Sequence, residues 1–229
     1  MAVRPELGHA AHLLHQHLGE VPDPDVARAL EQYLITTIDH GFNASTFTAR
    51  VIASTGADLG SAVVGALGAL SGPRHGGAPS RALDALDAIG EPGAAAAWVR
   101  ATVGHGERIM GFGHSVYRGP DPRAVLLREV ALRLGGRLVD LAVAVEPIIT
   151  RTLDELRPGQ RISTNVEFYA GVVMARCGLP REAFTTTFAA SRSIGWCANV
   201  LEQARDPRVI RPSARYVGPP APQPVPPGP

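Results

Sequence analysis

The feature that most constrains the fold is a recurring pattern of apolar residues at helical spacing, bounded by signals that start and stop helices. One such segment follows Asp23-Pro24, which pairs an N-cap residue with a proline suited to the first helical turn. Its apolar residues fall on one helical face: Val26, Leu30, Tyr33, Leu34 and Ile38. Asp121-Pro122 opens another such segment, which Gly135-Gly136 ends. Because clear alternating strands are absent, these patterns predict an all-α fold.

A third helix is predicted over residues 59–70, where leucine and valine recur at helical spacing among several glycines. Glycine lowers helix propensity, so close packing against another helix is one reason for its presence here. Gly72-Pro73 should end this helix. The pattern therefore places His75 on the turn just beyond a buried helix.

Two more segments, 137–157 and 180–205, are also predicted to be helical. The stretch 219–229 is mostly proline, which can continue neither a helix nor a sheet. We expect it to be an extended, disordered tail.

Length and charge exclude several classes of protein. With 229 residues, the chain can form one large domain or two small ones. Its net charge of +1 gives no reason to expect nucleic acid or a membrane as a partner. No apolar run is long enough to cross a bilayer, and no signal-peptide pattern opens the sequence. Cys177 and Cys197 lie in apolar, helix-like stretches, which favours two buried thiols in a cytoplasmic protein.

Histidines cluster near the N-terminus, at His9, His12, His15 and His17. A spacing of three could bring two imidazoles toward one metal ion. Since no carboxylate or cysteine completes a ligand set, we expect a solvated helix face and no metal site.

The segment 111–123 carries the clearest chemistry. It places His114 between glycines and follows it with Arg118 and Arg123. Glycines let backbone groups approach a ligand closely, and histidine can polarise a carbonyl or move a proton near neutral pH. Arginine can hold a carboxylate or phosphate with paired hydrogen bonds. At the start of the helix predicted after Asp121-Pro122, Arg123 would act together with the helix dipole. The segment therefore predicts a site for an anionic carbonyl substrate.

Five blocks, in order, resemble the signature of citrate synthases: 39–47, 72–77, 111–123, 165–171 and 191–196. The resemblance covers most of residues 5–218 and corresponds to the C-terminal two-thirds of the family. It implies an all-α, multi-helical fold in which a small domain is inserted in a large one. The predicted division is a large-domain part at 1–76, a small domain at 77–178, a second large-domain part at 179–218 and the tail at 219–229.

The family's usual N-terminal region has no counterpart in this sequence. A natural short paralogue, a truncated gene model and one half of a split enzyme are all compatible with that.

The resemblance also implies roles for individual residues. His75 would donate to a thioester carbonyl and His114 to the carbonyl of oxaloacetate. Glu167 would be the base, at a position where the family has aspartate. The substrate's carboxylates would be bound by Arg123, Arg192 and Arg211, and His40 would contact oxaloacetate. Coenzyme A would be held by the backbone of Met110, Gly111, Phe112 and Gly113, with Arg118 on a phosphate.

The implied reaction condenses acetyl-CoA with oxaloacetate to citrate. Acetyl-CoA would be a co-substrate, and no permanently bound cofactor is expected. Propionyl-CoA, giving 2-methylcitrate, is the near alternative. Glu167 leaves three outcomes open, since it could still reach the substrate, give slow turnover or mark a non-catalytic, partner-dependent paralogue. The resemblance further implies a homodimer in which Arg211 reaches the partner's active site.

Overall fold

The computed structural model describes residues 4–73, 75–114, 117 and 119–224, apart from the side chain of Ala78. Within these residues the regular structure is ten α-helices and two short 3-10 turns, with no sheet. One isolated antiparallel bridge joins Phe112 to Thr164. The helices are α1 (His9–Leu18), α2 (Pro24–Thr37), α3 (Ala44–Ser54), α4 (Leu59–Leu70), α5 (Ala78–Ile89), α6 (Ala95–Gly104), α7 (Pro122–Leu134), α8 (Arg137–Leu156), α9 (Val166–Arg176) and α10 (Phe184–Gln203). The predicted all-α fold is confirmed.

Side-chain caps set the starts of the helices that matter for the site. Asp23 accepts from the Asp25 backbone N–H at 2.8 Å at the start of α2. Asp121 does the same for Arg123 at 3.0 Å at the start of α7. Each cap satisfies a backbone donor that the first turn leaves without a partner. The helices predicted from these two pairs are confirmed, as are those over 59–70, 137–157 and 180–205.

The sequence patterns did not predict α3, α5, α6 and α9. Helix α9 shows why, since eight of its eleven residues are buried: Val166, Phe168, Tyr169, Ala170, Gly171, Val172, Val173 and Met174. A helix buried on nearly every side has no polar stripe, so its sequence lacks helical periodicity.

The expectation that α4 is a buried helix was wrong. Ala62, Ala66 and Leu70 face the core, whereas Val64 is exposed. The close packing expected from its glycines does occur at Gly65, where a Cβ atom would lie 2.2 Å from Ile52 of α3. Helix α4 therefore packs one of its faces against α3, and the opposite face of α4 is exposed.

Two other expectations about burial were also wrong in part. His15 is buried against the core and is not on a solvated face of α1. Cys177 is buried as expected, but Cys197 is only half-buried. Both thiols are free.

The core falls into two clusters of buried side chains. The larger one gathers residues from α1, α2 and α5 to α9, with Phe168 and Tyr169 among its largest members. The smaller one lies between α3, α4 and α10 and contains Trp196. The domain boundaries inferred from the resemblance stay a prediction.

None of the described helices is long and apolar enough to cross a membrane. Residues 219–224 form neither helix nor strand, in keeping with an extended tail; its disorder stays a prediction.

Candidate active site

A single cavity of about 1380 Å³ brings together most of the residues singled out in the sequence. These residues come from loops that lie far apart along the chain. The lining includes His40, His75, His114, Arg123, Glu167, Arg192 and the stretch Met110, Gly111, Phe112 and Gly113. Arg211 is exposed and does not line the cavity, and Arg118 lies outside the described residues.

Hydrogen bonds hold the loop that contains Gly111 and Gly113 to the start of α9. The side chain of Asn165 donates to the Gly113 carbonyl at 2.8 Å, and its backbone N–H donates to the Gly111 carbonyl at 2.9 Å. Gly111 and Gly113 both have positive φ, at 86° and 83°. A Cβ atom at Gly111 would lie 2.9 Å from that of Phe168. Glycine is therefore required at Gly111 by both conformation and space.

The hydrogen bonds of His114 fix which ring nitrogen carries the proton. Its Nδ1 accepts from the Tyr117 backbone N–H at 3.0 Å, so neutral imidazole has its proton on Nε2. Nε2 lies 3.2 Å from a terminal nitrogen of Arg123. Burial, followed by the charge of Arg123, lowers the pKa of His114. Two donors this close favour an oxygen that accepts a hydrogen bond from both, as a bound carboxylate would supply.

Arg123 is held by Asp121, which is almost fully buried. Arg123 donates from its Nε and a terminal nitrogen to the two carboxylate oxygens, at 3.0 and 2.8 Å. Asp121 also accepts from the backbone N–H of Val166 at 3.0 Å. Burial acts to raise the pKa of Asp121, but the Arg123 bonds and charge outweigh it and lower the pKa. One carboxylate thus ties the first turn of α7 to that of α9.

Two further histidines are held neutral in the cavity wall. Burial, followed by the charge of Arg123, lowers the pKa of His40 to about 4. Burial, followed by the charge of Arg192, lowers the pKa of His75 to about 4. A neutral imidazole can donate one hydrogen bond without adding charge to the site.

The orientation of His75 depends on Ser45, which the sequence reasoning missed as a functional residue. Ser45 Oγ lies 2.9 Å from His75 Nε2 and accepts from Trp196 Nε1 at 3.1 Å. Ser45 Oγ also lies 2.7 Å from the side-chain oxygen of Asn43, and its single proton can go to that oxygen or to His75 Nε2. When Ser45 donates to Nε2, the proton of neutral His75 is on Nδ1 and is available to a ligand. Since both Asn43 and Ser45 lie in the recognised block 39–47, the signal for them was present in the sequence.

Glu167 lies in the first turn of α9 and faces the same cavity. Its backbone N–H is capped by Asn165 at 2.9 Å. Burial raises the pKa of the Glu167 carboxyl to about 7, and the charge of Arg123 only partly opposes it. A carboxyl group with this pKa can accept and release a proton near neutral pH.

Arg192 is buried in the cavity wall on α10. Its Nε donates to the Thr37 carbonyl at 2.8 Å, and its guanidinium stacks on Phe188 at 4.7 Å from the ring centre. Burial lowers its pKa to about 10, so it stays charged at neutral pH.

Three more cations line the cavity, Arg108, Arg157 and Arg161, and sequence reasoning gave no signal for them. They flank the loop that contains Met110 and the segment before Asn165. None of them forms an ion pair with another described residue. The described residues contain no group of histidine, cysteine and carboxylate side chains that could hold a metal ion.

Together these groups suit a reaction of a carbonyl compound that carries negative charge. Buried arginines can bind carboxylates, and neutral histidines can donate to oxygens on which charge develops. A carboxyl group with a pKa near 7 can remove a weakly acidic proton.

Comparison with known proteins defines the class. The profile of the citrate synthase C-terminal domain matches residues 1–213, so the chain belongs to the citrate synthase family. It is 40% identical to the citrate synthase of Deinococcus radiodurans over 223 residues, which are 95% of this chain and 58% of that protein. It is also 40% identical to a 2-methylcitrate synthase of Mycobacterium tuberculosis over 217 residues, or 93% of this chain and 53% of that protein.

A solved structure shares the fold closely. It is the ternary complex of Thermoplasma acidophilum citrate synthase with carboxymethyl coenzyme A and oxaloacetate, with a TM-score of 0.87 and 32% identity. The match covers 97% of this chain and 60% of that one. The chain therefore spans about half the length of the curated relatives it matches.

Proposed function

We propose that the protein is a citrate synthase-type acyltransferase that condenses acetyl-CoA with oxaloacetate. The observation that carries this proposal is the convergence of Glu167, His75 and His114 on one cavity. Glu167 takes a proton from the acetyl methyl group, and His75 donates to the thioester oxygen of the resulting enolate. The enolate carbon forms a bond to the ketone carbon of oxaloacetate, whose oxygen is protonated from His114. Water then cleaves the thioester to give citrate and free coenzyme A.

The polar side chains that line the cavity fall into two groups, one for each substrate. His40, Arg123 and Arg192 bind the dicarboxylate from the side of α2, α7 and α10. The backbone of Met110, Gly111, Phe112 and Gly113 receives coenzyme A, with Arg118 on a phosphate. Arg108, Arg157 and Arg161 add positive charge beside that loop, where coenzyme A phosphates would lie. Acetyl-CoA is a co-substrate, and no permanent cofactor takes part.

We propose that the functional unit of the protein is a homodimer. Helices α3 and α4 expose large apolar side chains, among them Phe47, Val64 and Leu67. Apolar patches of this kind mark surfaces that a partner covers. Arg211 is exposed in the single chain and would complete the partner's carboxylate site across the interface.

Two alternatives rest on specific observations. The 2-methylcitrate synthase relative is as similar to this chain as the citrate synthase relative, which favours propionyl-CoA as a second candidate acyl donor. Glu167 stands where the family has aspartate, which favours a partner-dependent or non-catalytic paralogue.

The first experiment measures release of free coenzyme A from acetyl-CoA by the purified chain, with a thiol reagent. We expect release that requires oxaloacetate and is lost in His114→Ala. A parallel series with propionyl-CoA ranks the two acyl donors by kcat/KM. No release from a folded, dimeric sample would contradict the catalytic proposal and favour the partner-dependent one.

A further inference from the structure

The hydroxyl group of Tyr33 is buried without a hydrogen-bond partner. Tyr33 lies on α2 and is fully buried, and its Oη has no partner among the described residues. Tyr169 is buried to the same extent, but its hydroxyl donates to Glu146 at 2.5 Å. A buried tyrosine hydroxyl normally has such a partner, because leaving it without one lowers stability. The difference between the two tyrosines calls for an explanation at Tyr33.

Hydroxyl groups near Tyr33 are already engaged. Thr37, one helical turn later, bonds to the Tyr33 carbonyl and to Ser191 Oγ, each at 3.0 Å. Ser191 Oγ donates to the Leu34 carbonyl at 2.6 Å. The two hydroxyl groups have one proton each for these three contacts between α2 and α10, so the network has no spare donor. Burial raises the pKa of Tyr33 and the nearby Thr37 side chain acts against it, so the two hydroxyls are close. Even so, the Tyr33 hydroxyl forms no hydrogen bond of ordinary geometry with any described residue.

Tyr33 borders the cavity beside the most deeply buried cation of the site. Tyr33, Thr37, His40 and Arg192 line the same cavity. The Arg192 guanidinium is close enough for its charge to act on Tyr33. Among the described residues, the hydrogen bond of that guanidinium runs from Nε to the Thr37 carbonyl, which leaves its terminal nitrogens for a ligand. An anionic ligand on Arg192 would bring oxygen acceptors next to the Tyr33 hydroxyl.

We propose that the Tyr33 hydroxyl donates a hydrogen bond to the carboxylate that Arg192 binds, and so helps to select the dicarboxylate substrate. This inference rests on the proposed function and adds a residue that no sequence block indicated. Burial raises the pKa of Tyr33 well above its usual value, so the hydroxyl keeps its proton throughout the working pH range. A hydrogen bond to a charged acceptor is stronger than one between neutral groups. It also adds a donor without adding a third positive charge beside Arg192 and Arg123.

The test compares wild type with Tyr33→Phe, which removes one oxygen atom and keeps the ring. Because that oxygen has no hydrogen-bond partner among the residues that the structure describes, we expect Tyr33→Phe to have an equal or higher Tm without ligand. With oxaloacetate as the probe, its Kd should rise about tenfold or more, and the oxaloacetate-induced rise in Tm should shrink. The KM for acetyl-CoA should not change. Tyr169→Phe is the matched control, because losing its bond to Glu146 should lower Tm and leave the oxaloacetate Kd unchanged.

The outcomes separate the two proposals. If oxaloacetate does not raise the Tm of wild type, both the proposed function and the role of Tyr33 are wrong. If wild type binds oxaloacetate and Tyr33→Phe binds it equally well, only the role of Tyr33 is overturned. A lower Tm of free Tyr33→Phe with an unchanged oxaloacetate Kd would assign the hydroxyl to a buried water instead.

Discussion

At the residue scale, the contact between His114 and Arg123 gives the most direct prediction. Two donor groups 3.2 Å apart are stable together when an anionic oxygen lies between them. Removing either group should therefore weaken binding and stabilisation of charge on the dicarboxylate. We expect His114→Ala and Arg123→Ala each to lower kcat/KM by about a hundredfold or more.

The matched control is Arg133→Ala, an exposed arginine on the same helix α7 that bonds to Gln32. It should retain wild-type turnover, and circular dichroism should show equal helical content in all three variants. Turnover retained in either site variant would contradict its assignment.

Glu167 gives a prediction about pH. Its carboxyl must be ionised to act as a base, and its pKa is raised to about 7 by burial. Turnover should therefore fall below about pH 7, tenfold for each pH unit. Glu167→Gln should abolish turnover. Glu167→Asp, which restores the family's residue, should raise turnover, and a clear fall would show that the local backbone is adapted to glutamate.

The same carboxyl affects stability with a definite sign. Its pKa is higher in the folded protein than the usual 4.5, so the stability that its protonated form provides is lost as pH rises from 4.5 to about 7. Glu167→Gln removes this buried charge. Its Tm should match that of wild type at pH 4.5 and exceed it at pH 8, as measured by thermal unfolding. An equal difference in Tm at both pH values would contradict the raised pKa.

At the element scale, Asp121 links the helix that carries Arg123 to the helix that carries Glu167. It caps α7, pairs with the Arg123 guanidinium and accepts from Val166 N at the start of α9. An asparagine would turn an amide N–H toward one of these donors. Loss of its negative charge would also lower the pKa of Glu167, which Asp121 helps to raise. We expect Asp121→Asn to raise the KM for oxaloacetate and to move the acidic limb of kcat to lower pH.

The chain supplies a matched control for that prediction. Asp23 is also an Asp-Pro helix cap, but within the described part of the chain its side chain accepts only from Asp25 N, and it lies exposed at the start of α2. Asp23→Asn should lower Tm slightly and leave both kinetic quantities unchanged. If the two variants behave alike in KM and in pH dependence, Asp121 acts only as a cap.

At the scale of the whole molecule, the proposed dimer predicts complementation between inactive variants. Arg211→Ala and His114→Ala should each be inactive alone. If Arg211 completes the partner's site, co-expressed subunits that pair at random should recover about a quarter of wild-type activity, because half of the dimers are hybrids with one intact site. No recovery in isolated hybrid dimers would show that Arg211 does not act across the interface.

Some features of this protein could be predicted from the sequence, whereas others became visible only in the structure. Helix starts at Asp23 and Asp121 could be predicted because capping depends on a few neighbouring residues. Helix α9 could not, since its burial on nearly every side comes from the packing of other helices. The five ordered blocks indicated His40, His75, His114 and Glu167, whose chemistry is carried by residue type.

Only the tertiary structure decided how these residues are held and what else lies beside them. His75 meets Ser45 across 30 residues, and Asp121 meets Val166 across 45. Tyr33 reads in the sequence as one more apolar residue on α2, and its unsatisfied hydroxyl becomes visible only beside Arg192 of α10. Local sequence fixes caps and residue chemistry through short-range interactions. Burial, pKa and hydrogen-bond partners depend on segments that meet only when the chain has folded.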